Sequence, residues 1–124
     1  MLTELFSLNT LNEMFNNDKE IVGTIINTFA SSLPSDIQIL EIAFQDKNIK
    51  LIQQTAHRLF PFCKQINAIE VIPIIEKIEL SKKQNHIQFD DLQTDIVLLL
   101  KSLKRLLNEF IKINYCFNSF EEMV

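Results

Sequence analysis

Apolar residues recur at helical spacing along most of the chain, and polar clusters divide them into segments. A short first segment carries Leu11, Met14 and Phe15 and runs into Asn16, Asn17 and Asp18, a cluster suited to capping the next helix. Ile21, Ile25 and Phe29 then share one face, flanked by Val22 and Ile26. Pro34 predicts the first turn of a new helix, because a missing N–H costs nothing there, and Ile37, Leu40, Ala43 and Phe44 form the stripe that follows. The third main segment spans about 49–66. Its seam of Ile52, Ala56, Leu59, Cys63 and Ile66 is spaced four, three, four and three, as in a bundle helix. Asn67 suits its end, since Asn tolerates the left-handed backbone.

A fourth segment opens between Glu70 and Pro73 and carries Ile74, Ile75 and Ile78. The polar stretch 81–88 predicts a loop, and Asp90 and Asp91 suit the start of the last helix. That helix has the clearest stripe: Leu92, Ile96, Leu99, Leu103, Leu106, Phe110 and Ile113. Leu98, Leu100, Leu107 and Ile111 widen it, which predicts a deeply set helix. The expected architecture is all-α: four long antiparallel helices in a bundle with a short additional N-terminal helix.

Length and composition narrow the chemistry. The 124 residues predict one domain, residues 1–124, with 47% apolar residues, enough to bury a core. A single glycine, Gly23, rules out the glycine-rich phosphate cradles and argues against an all-β chain full of tight turns. The net charge of −4 disfavours non-specific binding of nucleic acid or an anionic membrane. The longest apolar run, Ile96 to Leu100, is far below the roughly 20 residues of a membrane span. No signal peptide is evident, since Glu4 stands where a basic segment would be needed. Cys63 and Cys116 lie far apart, and with His57 and His86 they make no recognised metal spacing; both cysteines read as small apolar side chains of a reducing cytoplasm. His86 in the polar loop, and Tyr115 near the C-terminus, read as ordinary solvated or packing residues.

The third main helix holds the candidate chemistry. On a helical wheel His57 falls about 140° from the apolar seam, so it faces away from the core. Lys50, Gln53, Gln54, Pro61 and Lys64 share that side. Four basic residues and no acid lie between Lys47 and Ile69, so the sequence predicts a locally positive surface that keeps the imidazole a neutral nucleophile. Histidine can carry a transferred group covalently, and phosphoryl transfer asks mainly for positioning and nearby positive charge. Lys64 lies about 10 Å further along the axis but nearly in line with His57, within reach of a side chain that leans back. Arg58 is rotated by about 100° and is the weaker candidate. Phe60 and Phe62 flank the seam as boundary residues, and Phe60 is also a candidate docking rim.

The string Ala56-His57-Arg58-Leu59-Phe60-Pro61, with Asn67-Ala68 after it, resembles the signature of histidine-containing phosphotransfer (HPt) domains, A-H-x-L-K-G followed by G-A. Upstream, Asp18 to Phe29, then Leu33-Pro34, then Ala43-Phe44-Gln45-Asp46, is similar to the family's acidic residue and apolar stripe, its F-x-x-x-x-P and its helix ending in Asp. The resemblance covers most of residues 5–112 and extends to HPt modules of hybrid sensor kinases, among which a Pro-containing variant occurs. It implies that His57 accepts a phosphoryl group from the phospho-aspartate of a receiver domain and passes it to another receiver. The implied partners are response-regulator receivers and a sensor histidine kinase. The resemblance implies a cytoplasmic monomer, standing alone or as the cytoplasmic part of a membrane-bound hybrid kinase, with no cofactor of its own, Mg²⁺ being supplied by the receiver. Lys50, Gln53, Gln54, Phe60 and Pro61 would form the docking surface.

Three positions depart from the family's pattern. Phe60 replaces the usual Lys, which leaves Lys64, and less directly Arg58, to supply the cation. Pro61 replaces a Gly, removes the hydrogen bond to the carbonyl of His57 and predicts a kink there. Asn67 replaces the later Gly and stays compatible with a helix end. The alternatives are a pseudo-HPt that binds receiver or kinase domains without accepting phosphate, and an unrelated helical adaptor with an incidental histidine.

Overall fold

A computed structural model describes residues 5–122, with side chains described through Lys112. Five helices follow in order: α1 (Asn9–Met14), α2 (Lys19–Gln45), α3 (Ile49–Gln65), α4 (Val71–Ser81) and α5 (Phe89–Glu122). No strand occurs among the described residues. The four main helices pack in a ring, α2 on α3, α3 on α4, α4 on α5 and α5 back on α2, while α1 touches α2. This is the expected four-helix bundle with a short N-terminal addition. Its fourth member is not long, however: α4 has only 11 residues against 34 in α5.

Local sequence explains the helix boundaries. Asp18 caps α2, its carboxylate accepting from the backbone N–H groups of Glu20 and Ile21 at 3.0 and 3.2 Å. Asn48 caps α3 by accepting from the N–H of Leu51 at 3.1 Å. Asn16, Asn17, Lys47 and Asn67 take the left-handed backbone that ends or reverses a helix, with φ between 53° and 61°. Pro73 falls in the first turn of α4, where its lost donor has no intrahelical partner to miss.

Pro34 behaves otherwise than the sequence predicts. It starts no new helix but lies inside α2, which runs unbroken for 27 residues. The proline sits on the exposed side, while Leu33, Asp36 and Ile37 beside it are buried. The apolar stripe is therefore continuous across it, and core packing on both sides offsets the one backbone bond lost. The stripe also follows a different line, through Val22, Phe29, Leu33, Ile37, Leu40 and Ala43. Ile21 is exposed, because the burial seam passes through its neighbour Val22. In α1, Leu11 is fully buried and Phe15 partly so, whereas Met14 faces solvent.

The core runs the length of the bundle. Ile52, Ala56, Leu59, Cys63 and Ile66 of the α3 seam are buried, as are Ile75 and Ile78 of α4. Leu92, Ile96, Leu99, Leu103, Leu106 and Phe110 of α5 complete it, and Leu100 and Leu107 pack against its edge. Leu98 and Ile111 do not widen that face: both are exposed, on the side of α5 turned away from its buried stripe. Ile113, Tyr115 and Cys116 lie outside the residues whose side chains are described. One end is closed by aromatic rings. Phe29 stacks on Phe62 with centroids 5.3 Å apart and meets Phe110 edge-on at 5.5 Å, and Phe6 covers Phe110 at 4.9 Å. Burial pushes the Cys63 thiol up to about 12, which leaves it protonated and unreactive at neutral pH.

Phe29→Ala is expected to lose about 3–5 kcal/mol of stability, because it removes the ring that joins two others in the core. Ile21→Ala, one turn from the buried line, should stay within about 0.5 kcal/mol of wild type. Chemical denaturation of both variants checks the revised stripe, and equal losses would contradict it. Iodoacetamide should leave Cys63 unmodified in the native protein and alkylate it after denaturation, as read by peptide mass spectrometry.

Candidate functional site

The site begins with one sharp contrast along α3. Ala56 is fully buried in the seam, and the side chain of the next residue, His57, is 69% exposed. The helical turn of 100° per residue separates them, so packing of Ala56 and Leu59 fixes the direction in which the imidazole leaves the bundle. α3 continues unbroken through Pro61 to Gln65, and Pro61 is exposed on the same surface.

The immediate neighbour of His57 comes from α4. Nδ1 lies 2.9 Å from Oε2 of Glu79, and the other carboxylate oxygen, Oε1, lies 3.1 Å from Nζ of Lys82. Partial burial raises the pKa of Glu79, but the hydrogen bonds and charges of His57 and Lys82 outweigh it and hold the group below its ordinary value. An ionised carboxylate only accepts hydrogen bonds, so Nδ1 must carry the proton. Nε2 makes no hydrogen bond to any described residue, and in the neutral ring it holds the free lone pair. The surface around His57 is thus not uniformly positive, as counting along α3 alone predicts. The bundle sets a carboxylate from the neighbouring helix against the imidazole.

A second α3–α4 link lies one turn away. Gln53 Nε2 donates to Ser81 Oγ at 2.9 Å, and the buried Ser81 hydroxyl donates to the carbonyl of Ile78. The Gln53 amide is consequently half-buried and turned towards α4, whereas Lys50 and Gln54 stand exposed. Together the two links hold the pair of helices in the register that brings Glu79 to His57.

The basic residues are placed differently from one another. Arg58 reaches to α2, where its guanidinium pairs with the buried Asp36 at 2.5 Å. His57 turns to α4 instead, so the two side chains leave α3 on different sides. Lys64 lies over the ring of Phe60, with Nζ 4.1 Å from its centroid. That contact draws Lys64 back along the helix by one turn in the direction of His57, and Phe60 is half-buried beneath it. Asn67 does more than end α3: its amide donates to the carbonyl of Ser7 and to Thr10 Oγ1, at 3.2 and 2.9 Å, and ties the N-terminal segment to the bundle.

Glu79, Lys82 and Ser81 were not visible as site residues along the chain. Glu79 is 22 residues from His57, and only the antiparallel packing of α3 on α4 brings them together. Its spacing from Ile75 and Ile78 puts it at the edge of the α4 stripe, which is the one sequence signal available. Among the described residues no group of three His, Cys, Asp or Glu side chains is arranged to hold a metal ion. No helix among them is long and apolar enough to cross a membrane.

No family model matches the chain, and no curated protein matches it in sequence. Among solved structures it is similar to the HPt domain of a sensor hybrid histidine kinase from Shewanella, with a TM-score of 0.74 and 18% sequence identity over 86% of this chain and 92% of that one. At this identity the likeness establishes the fold, and the chain has the helical-bundle fold of an HPt domain.

Because the carboxyl of Glu79 sits below its ordinary value in the folded state, it contributes stability that is present above the unfolded value near 4.5 and is lost as pH falls through the lower folded value. Glu79→Gln should flatten that part of the acid limb in urea titrations run at several pH values. An acid limb identical to that of wild type would remove the His57–Glu79–Lys82 contacts from the account.

Proposed function

We propose that the protein is a phosphorelay intermediate that accepts a phosphoryl group on His57 from the phospho-aspartate of a receiver domain and passes it to another receiver. The observation that carries this reading is the imidazole itself: exposed on a bundle of HPt fold, tethered through Nδ1 and free at Nε2. The tether costs the ring its rotational freedom in advance of reaction and selects the tautomer whose lone pair is on the outer nitrogen. Nε2 attacks phosphorus, the bond to the donor's carboxylate oxygen breaks, and its electron pair leaves with that oxygen.

Positive charge near the transferring oxygens would come from Lys64, since Arg58 is committed to Asp36. Lys50, Gln54, Phe60 and Pro61 form the exposed and half-exposed surface around His57 against which a receiver would dock, with Gln53 at its inner edge. Mg²⁺ would enter with the receiver. The structural neighbour is named as part of a hybrid sensor kinase, which supports receivers and a sensor kinase as the partner class. A cytoplasmic location and a monomeric state belong to the same reading. One observation favours the pseudo-HPt alternative: Phe60 holds the position from which the family's lysine acts, and the nearby ammonium is engaged with its ring.

Incubation with Mg²⁺ and a panel of phosphorylated receivers is expected to give an acid-labile, base-stable phosphoryl group on wild type and none on His57→Gln. That variant should melt as wild type does, because the side chain it replaces is exposed. Lys64→Ala should slow uptake about tenfold. Receiver binding without uptake by wild type would establish the pseudo-HPt instead.

A further inference from the structure

Glu79 is an acid where a neutral amide would suffice to hold a tautomer. A glutamine at that place could accept the same hydrogen bond from Nδ1, so the charge must be asked for a separate consequence. When Nε2 takes up a phosphoryl group, its lone pair becomes the new N–P bond and the ring becomes a phosphoimidazolium. Its positive charge is shared with Nδ1–H, the group 2.9 Å from Glu79 Oε2. On discharge the N–P bond breaks, phosphorus goes to a receiver carboxylate or to water, and the electron pair returns to Nε2. If Nδ1 has kept its proton, the ring leaves as neutral imidazole. If that proton has been lost, the ring must leave as imidazolate, a far poorer leaving group.

A carboxylate facing Nδ1 opposes loss of the proton. The other charged groups nearby do not cancel this effect. Lys82, directly after α4, engages the far oxygen of Glu79, Arg58 on α3 is tied to Asp36 of α2, and Lys64 on α3 lies over Phe60. Glu79 is only 21% exposed, so solvent weakens its field less than it would on an open surface. We propose that Glu79 sets the lifetime of the phosphoryl group on His57, holding the phosphohistidine in its protonated, readily discharged form. The site is therefore built for rapid turnover and not for storage of the phosphoryl group; this rests on the phosphotransfer reading above.

The test labels wild type and Glu79→Gln with a phosphorylated receiver, removes the receiver, and follows decay of the phosphohistidine at mildly alkaline pH. Glu79→Gln is expected to keep its label roughly threefold longer or more. Wild type unfolded in urea after labelling, which separates His57 from Glu79 without any substitution, should show the same slowing. Equal lifetimes in all three samples would overturn the inference while leaving phosphotransfer intact. Failure of wild type to take label from any receiver would count against phosphotransfer alone. The two lifetimes are then compared after chemical labelling with phosphoramidate, and the same difference is expected.

Discussion

The structure depends on one constraint, that α3 must serve two masters at adjacent positions. Its seam of Ile52, Ala56, Leu59 and Cys63 is sealed against the bundle, and the residue directly after Ala56 has to leave it. Ala56 and Leu59 are both sealed in the core, and their burial fixes the rotation of α3 about its own axis. Every other feature of the site inherits that rotation. A slip of one residue would bury the imidazole and expose the seam, at a cost of about 1.5–3 kcal/mol for each large apolar side chain brought into water.

Packing of α3 on α4 then decides what the imidazole meets. Gln53 with Ser81, and His57 with Glu79, are two polar contacts along one helix pair, and both sit above buried apolar residues. The first is satisfied within the protein and contributes register. The second is half in solvent and contributes chemistry: an orientation for the ring, a proton fixed on Nδ1 and a free Nε2. Lys82 completes the arrangement by holding the other oxygen of Glu79, so that the carboxylate is restrained from both sides. Arg58, next to His57 in sequence, turns to α2 and helps bind the bundle through Asp36.

The helices and the exposure of His57 were legible in the sequence because both follow from periodicity within single segments. The α3 seam, the loop after Ser81 and the left-handed turn at Asn67 all appear as expected. Pro34 misled because a local rule about helix starts competes with an apolar stripe that extends past it in both directions, and the stripe prevails. Ile21, Leu98 and Ile111 misled because an apolar residue near a stripe is buried only if another helix lies over it. The positive surface around His57 misled for a related reason: a wheel drawn on one helix carries no information about its neighbour. Glu79 belongs to the part of the site that only tertiary packing creates.

The proposed function stands on Nε2 of His57 as the phosphoryl acceptor. Its most direct test is ³¹P and ¹⁵N nuclear magnetic resonance of protein labelled with ¹⁵N-histidine, after transfer from a phosphorylated receiver. One phosphorus signal coupled to Nε2 of His57 is expected, with Nδ1 still protonated. Phosphorus on Nδ1, on His86, or on no histidine at all would contradict it.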